Sequence, residues 1–113
     1  MEIQGYNILM IRGDTETIKV LCQDIQGNAV PFNIGDILYF TMKKDINVEN
    51  KILQKIITEF VDGVAYINIS PNDTKAIVVG SYYYDIQLTK VDGTVKTIIP
   101  PSMFSIRGEV TYE

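Results

Sequence analysis

The residues best suited to chemistry in this 113-residue sequence are its seven tyrosines and its one cysteine, because the chain contains no histidine. The usual general base and the commonest transition-metal ligand are therefore missing. Alternation places Cys22 on one side of a strand with Ile18 and Val20, which predicts a buried thiol. The carboxylates are scattered through turns, and the sequence has neither a phosphate-binding glycine loop nor a nucleophile elbow. We expect no catalytic, metal-binding or cofactor-binding residues, and hence a protein that is not an enzyme.

Three consecutive tyrosines raise the question of whether they form a binding surface or a core. In "YYYDIQLT" the alternation of a strand places Tyr82 and Tyr84 on the same side as Ile86, and Tyr83 on the other. We therefore predict that Tyr82 and Tyr84 are buried and Tyr83 is exposed. Tyr82 also begins a strand shortly after Gly80, as in a tyrosine corner, where the hydroxyl binds nearby backbone.

The segment "DILYFTMKK" carries large apolar side chains on both faces of a predicted strand. Ile37 and Tyr39 lie on one face, whereas Leu38, Phe40 and Met42 lie on the other. Either the strand is central and covered on both sides, or one side is an interface. The segment "KILQKII" likewise carries large apolar side chains on both faces. The candidate interface residues are Ile37, Tyr39 and Tyr83.

Two familiar short motifs are given structural interpretations. The tripeptide "RGD" at Arg12–Asp14 resembles an adhesion motif, but it lies where a strand must turn. The sequons that begin at Asn68 and Asn72 matter only in a secretory pathway, and the sequence shows no signal peptide. We expect no adhesive or glycosylation role for these motifs.

Turn signals recur at intervals of about eight to twelve residues, which is typical of short strands in a sandwich or barrel. Between them lie runs rich in isoleucine, valine, threonine and tyrosine. "SPNDTKAI" predicts a helix of about one turn that begins at Pro71 after an N-cap at Ser70. We predict one all-β domain over residues 1–113, an immunoglobulin-like antiparallel β-sandwich of seven to eight short strands. The predicted strands are Ile3–Ile11, Thr15–Asp24, Asp36–Lys43, Lys51–Thr58, Val64–Ile69, Tyr82–Lys90, Thr94–Ile99 and Met103–Thr111.

Composition and charge limit the partners. Apolar residues make up 46% of the chain and charged residues 21%, as in an ordinary globular domain, and the net charge is −4. An acidic protein repels the phosphate backbone, so nucleic acid is not expected as a partner. No apolar run approaches the length of a membrane span, so no membrane association is expected either.

The order of several segments resembles the immunoglobulin-like N-terminal domain of bacteriophage baseplate upper proteins and their prophage relatives. The likeness covers nearly the whole chain. The segments that carry it are "RGDTETIKVLCQDIQGNAVPF", "ILYFTMKKDIN", "KILQKIIT", "GVAYINISPNDTKAI", "GSYYYDIQLTKVDGTVKTIIP" and "FSIRGEVT".

This resemblance implies a structural module of a phage or prophage tail that attaches or organises receptor-binding or fibre proteins. The implied partners are other tail and baseplate proteins, with a homo-oligomer expected, and the implied location is the virion tail, or the bacterial cytoplasm during assembly. The alternative is a small carbohydrate-binding or adhesive module, in which exposed Tyr39, Tyr66 and Tyr83 would stack on sugar rings. The absence of tryptophan, a residue that carbohydrate platforms often use, argues against this alternative but does not exclude it.

Overall fold

Residues 1–111 are described by the computed structural model and form eight β-strands and one short helix. The elements are β1 (Glu2–Gln4), β2 (Asn7–Ile11), β3 (Glu16–Val20), β4 (Ile37–Lys43), β5 (Leu53–Ile57), β6 (Ala65–Ile69), α1 (Pro71–Thr74), β7 (Gly80–Thr89) and β8 (Val95–Arg107).

The strands form two sheets that pack face to face. The larger sheet has the order β1-β2-β8-β7-β4-β5, and the smaller sheet pairs β3 with β6. The chain crosses between the sheets after β2, β3, β5 and β6, as in an immunoglobulin-like sandwich. The predicted fold class is confirmed, with one exception to antiparallel pairing: β2 runs parallel to β8. Only four residues join β2 to β3, so β2 must lie where the chain can cross to the smaller sheet.

The prediction of one strand over Ile3–Ile11 was wrong. The chain turns back at Gly5 and Tyr6, so that Gln4 of β1 pairs with Asn7 of β2. Gly5 has φ +61°. The first position of a two-residue hairpin loop requires a positive φ, which glycine adopts most readily. The predicted strand therefore contains a turn, which the run of apolar residues did not indicate.

The prediction of separate strands over Thr94–Ile99 and Met103–Thr111 was also wrong, since β8 runs through Pro100 and Pro101. These prolines lie at a register shift between β7 and β8, where two residues of β8 oppose one of β7. The ladder hydrogen bonds are already interrupted there, and pairing with β2 begins only at Phe104. The strand consequently tolerates two residues that cannot donate a main-chain hydrogen bond.

The core fills the space between the two sheets. Its centre is an aromatic cluster in which the rings of Phe40, Tyr84 and Phe104 have centroids 5.4–6.0 Å apart. Around them pack apolar side chains of both sheets and the thiol of Cys22, which is buried as predicted. The largest fully buried aliphatic side chains are Met10, Leu38, Met42, Ile67, Ile69, Ile86 and Ile106.

The helix α1 carries the chain from the smaller sheet to the larger one. As predicted, it starts at Pro71 after Ser70, whose main-chain N–H donates to the carboxylate of Asp73 at 2.7 Å. Lys55 of β5 forms an ion pair with the same carboxylate at 2.7 Å. Although burial alone would raise the pKa of Asp73, Lys55 and the hydrogen bonds from Ser70 outweigh it and hold the pKa below its ordinary value. The contact ties the helix to the edge of the larger sheet.

Candidate functional site

The outer face of the larger sheet is the surface that the sequence singled out, and the structure now defines its residues. On β4, Leu38, Phe40 and Met42 are completely buried, whereas Ile37 and Tyr39, which alternate with them, are half-buried and face outward. Strand pairing extends this outward face across β5, β7 and β8. We call the following nine residues the outer patch: Ile37, Tyr39, Thr41, Gln54, Ile56, Gln87, Thr89, Val95 and Thr97.

Tyr39 lies in the middle of the outer patch. It pairs with Ile56 of β5 on one side and with Gln87 of β7 on the other, and Gln87 pairs with Thr97 of β8. Directly opposite residues on adjacent strands stand within contact distance, so these four side chains form one row across the sheet. Ile56 is 55% exposed, although it is a large aliphatic residue.

A second row lies beside the first. Ile37 pairs with Thr89, and Thr89 pairs with Val95, which is 57% exposed. A third row pairs Thr41 with Gln54, whose side-chain amide donates to the threonine hydroxyl at 3.0 Å. The outer patch is thus a continuous surface of apolar side chains interleaved with hydroxyl and amide groups.

None of the nine residues of the outer patch is charged, although charged residues make up 21% of the sequence. Exposed strand faces that only meet water are normally rich in charged side chains. Charges appear on this face from the third row onward: Asp85 of β7 pairs with Thr41 in that row, and Lys43 follows on β4. A large uncharged face with exposed isoleucine and valine is typical of a surface that contacts another molecule.

Asp85 borders the outer patch in an unusual environment for a carboxylate. It lines a cleft of about 80 Å³ together with side chains that include Ile46, Tyr83 and Pro101. Partial burial raises the pKa of Asp85, and the nearby Lys43 only partly offsets this effect. Asp85 is therefore a destabilised charge at the margin of an otherwise uncharged surface.

Of the three candidate interface residues, the structure brings Ile37 and Tyr39 together but not Tyr83. Tyr83 shares their face and is exposed as predicted, yet it pairs with Lys43, at the other end of β4. Four residues of extended strand place the Tyr39 and Lys43 rows about 13 Å apart. Tyr83 thus lies beyond Asp85 at the end of the outer patch.

The three tyrosines proposed as a sugar platform do not share a surface. Tyr66 belongs to β6 of the smaller sheet, where it pairs with Lys19, and it faces away from the core on the opposite side of the sandwich. Tyr39 and Tyr83 lie on the larger sheet. A single platform built from all three tyrosines is therefore excluded by the fold.

The remaining tyrosines of the cluster are buried as predicted. The hydroxyl of Tyr82 donates to the main-chain carbonyl of Val78, four residues earlier, which is the contact of a tyrosine corner. The ammonium group of Lys44 lies 4.7 Å from the centre of the Tyr82 ring. Tyr84 reaches the opposite end of the core, where its hydroxyl donates to the carbonyl of Tyr6.

The "RGD" tripeptide is tied into the fold. Arg12 forms an ion pair with Glu109 at 2.8 Å and also donates to the carbonyl of Ile77 at 3.1 Å. The main-chain N–H of Gly13 donates to the hydroxyl of Thr74 at 2.7 Å. These contacts join the end of β2 to α1 and to the residues after β8, so the guanidinium group serves a structural role.

Sequence reasoning overlooked the contribution of β7 and β8 to the outer patch. The signal was present in "IQLTKVDGTVKT", where the residues on one side of the predicted hairpin are Gln87, Thr89, Val95 and Thr97, all uncharged. Alternation places Asp85 on the same side, but its partial burial could not be predicted from this segment, because the cleft that it lines includes Pro101 of β8.

Within residues 1–111, no three histidine, cysteine, aspartate or glutamate side chains lie close enough together to hold a metal ion. The same part of the chain has no helix that is both long and apolar enough to cross a bilayer. Neither a protein-family model nor a curated protein sequence matches this chain.

Proposed function

We propose that this protein is a non-enzymatic structural module of a phage or prophage tail or baseplate, and that it attaches or organises other tail proteins. The order of sequence segments described above supports the tail assignment. The observation that carries the mode of action is the outer patch, a continuous surface of nine uncharged residues with exposed Ile56 and Val95, bordered by Asp85. The module acts by contact between folded proteins, and this face is the contact surface.

The composition of the outer patch fits protein more closely than the other candidate partners. A phosphate-rich nucleic acid would require cationic side chains, and the outer patch has none. A sugar platform would require several aromatic rings side by side, and Tyr39 is the only aromatic residue among the nine. Aliphatic and aromatic groups surrounded by threonine and glutamine match the depletion of charge found at the centres of protein interfaces.

Binding to the products of adjacent genes tests this proposal. Each product is purified and immobilised, and the affinity of the wild-type protein is compared with that of Ile56→Lys. A charge in the contact is expected to weaken binding by about tenfold or more. Tyr66→Lys is the matched control on the opposite face, and it is expected to change the affinity by less than about twofold. The proposal is overturned if no adjacent product binds, or if Ile56→Lys binds as well as the wild type.

A further inference from the structure

We infer that the first half of β8 accepts an extended segment of another protein as an added strand, antiparallel to β8 and with an acidic side chain opposite Lys96. This contact uses main-chain groups at the edge of a strand. It therefore goes beyond the proposed function, which depends on the side chains of the outer patch. Three observations support it: an unpaired strand edge, the cleft beside that edge and the charge of Lys96.

The strand β8 is paired on both sides only in its second half. β7 pairs with β8 along most of its length, whereas β2 pairs only with residues 104–107. Asn7, the first residue of β2, ends this contact, because its side-chain carbonyl accepts a hydrogen bond from the main-chain N–H of Met103 at 3.0 Å. Within residues 1–111, no strand pairs with residues 95–99 on this side. We call this side of residues 95–99 the open edge of β8.

The rest of the same side of β8 is protected from pairing with other strands. Native proteins commonly protect exposed strand edges with proline or cover them with another segment. Pro100 and Pro101 have no main-chain N–H to offer, and β2 covers β8 from Phe104 onward. Residues 95–99 contain no proline. The open edge therefore keeps main-chain groups that a new strand can bind.

The hydrogen bonds of the hairpin between β7 and β8 show which residues direct these groups to the open edge. The main-chain N–H of Lys90 donates to the carbonyl of Thr94 at 2.8 Å. Hydrogen-bonded and non-hydrogen-bonded pairs alternate along an antiparallel ladder, so the pairs that contain Val95 and Thr97 are of the second kind. These two residues consequently direct their N–H groups away from β7. The two groups are about 6.8 Å apart, the spacing at which an extended chain presents its carbonyls.

A cleft of about 490 Å³ lies beside the open edge. It is lined by residues 96–99, by residues 21–24 after β3, and by Tyr6 in the turn between β1 and β2. Leu21 and Tyr6 are 56% and 54% exposed, although both side chains are large and mainly apolar. When an extended segment adds to a sheet, main-chain hydrogen bonds supply affinity and side-chain contacts supply specificity. The cleft provides such side-chain contacts next to the free N–H groups.

Lys96 determines the chemistry of the added strand. It pairs with the core residue Leu88, so its side chain projects from the same face, yet it is exposed and forms no ion pair within residues 1–111. Directly opposite residues of an antiparallel pair are favourable when their charges differ in sign and unfavourable when they match. A strand with aspartate or glutamate opposite Lys96 is therefore preferred. A second copy of β8 paired antiparallel about Lys96 would place two lysines together, which disfavours this chain as its own partner here.

Amide exchange measured by NMR tests the added strand. The probe is a seven-residue peptide with blocked ends, in which threonine alternates with valine and the central residue is glutamate. At about 1 mM, the peptide should slow exchange at Val95 and Thr97, whose N–H groups gain an acceptor. Lys96 should not change, because its N–H already points to β7.

Methylation of the peptide main chain provides the matched control. Methyl groups on the nitrogens of the two threonines beside the glutamate should abolish the protection, because these nitrogens face β8. A methyl group on the glutamate nitrogen, which faces away, should not. The inference is overturned if the unmethylated peptide protects neither amide, or if the position of the methyl group makes no difference.

A charge exchange tests the role of Lys96. A peptide with lysine in place of the central glutamate should bind the wild type about threefold more weakly or worse, and Lys96→Glu should reverse this preference. Lys19→Glu, on the smaller sheet, makes the same change in net charge and should leave the preference as it is. Circular dichroism verifies that each variant is folded. A preference that Lys96→Glu does not reverse, or that Lys19→Glu reverses equally, would overturn the assignment of an acidic partner.

This inference and the proposed function can fail separately. A protein whose open edge binds no peptide, but which loses an adjacent gene product on Ile56→Lys, retains the proposed function alone. A protein that binds the peptide at the open edge but binds no adjacent product retains only the added strand.

Discussion

The hydroxyl of Tyr84 donates a hydrogen bond to the main-chain carbonyl of Tyr6 at 2.5 Å, although the two residues are 78 positions apart. This bond joins the centre of β7 to the turn between β1 and β2. Burial raises the pKa of Tyr84 to about 12, so the phenol remains a donor throughout the physiological pH range. The last two residues of the tyrosine cluster are divided between core and surface, with Tyr84 buried and Tyr83 exposed.

Alanine substitutions should separate these two tyrosines. Tyr84→Ala removes a ring from the aromatic cluster, and we expect it to lower the free energy of unfolding by about 3 kcal/mol or more. Tyr83→Ala, the control on the same strand, should lower it by less than about 1 kcal/mol. Denaturant titration measures both values. Equal losses would be incompatible with the strand register described here.

The tyrosine corner can be tested by removing a single oxygen atom. Tyr82→Phe keeps the ring but leaves the carbonyl of Val78 without its donor, and we expect a loss of about 1–2 kcal/mol in the free energy of unfolding. Tyr66→Phe removes the same atom from an exposed ring and serves as the control, with an expected change within about 0.5 kcal/mol. Similar losses from both variants in thermal or denaturant unfolding would argue against a stabilising corner.

Asp85 should make stability depend on pH in an unusual direction. Its pKa is raised in the folded protein, so the folded state holds this proton more tightly than the unfolded chain does. Stability from this group is complete below the ordinary aspartate pKa and is lost as pH rises through the higher folded value. Asp85→Asn should therefore raise the free energy of unfolding at pH 7, with a gain that disappears in acid.

Asp92 provides a control of opposite sign for Asp85. The main-chain N–H of Thr94 donates to its carboxylate at 2.9 Å and lowers its pKa. Its contribution is present above the ordinary pKa and is lost as pH falls, so Asp92→Asn should reduce stability at pH 7. Unfolding titrations at pH 7 and in acid measure both variants. A loss of stability at pH 7 for Asp85→Asn would contradict the assigned environment.

Two glycines with similar backbone angles should respond differently to alanine. Gly27 and Gly63 have φ of +84° and +75°, so alanine is strained at either position by about 1 kcal/mol or more. A Cβ at Gly63 would also collide with the ring of Pro31, whereas at Gly27 it would meet open space. We expect Gly63→Ala to lower the melting temperature clearly more than Gly27→Ala. The reverse order would show that the loop before β4 packs differently.

The sequence was most informative where alternation was regular. In β4, β6 and β7 the period of two identified both the strand and its buried face, and Ser70 and Pro71 marked the start of α1. It failed where a turn lay inside an apolar run, as at Gly5, and where tertiary pairing carried a strand through prolines, as in β8.

The outer patch could be predicted only in part, for a related reason. Ile37 and Tyr39 are adjacent on one strand, so their common face follows from local alternation. Their proximity to Ile56, Gln87 and Val95 depends on which strands pair and in which register. Such long-range pairing is not encoded in any single segment.

The central claim is that the outer patch is the surface through which this protein contacts other proteins, and methyl NMR tests it most directly. The protein is labelled at isoleucine and valine methyl groups, then titrated separately with unlabelled copies of itself and with each adjacent gene product. The account predicts that signals of Ile37, Ile56 and Val95 shift or broaden with at least one of these partners, while the exposed Ile25 remains unchanged. Changes that leave these three residues unaffected and cluster around Tyr66 would contradict it.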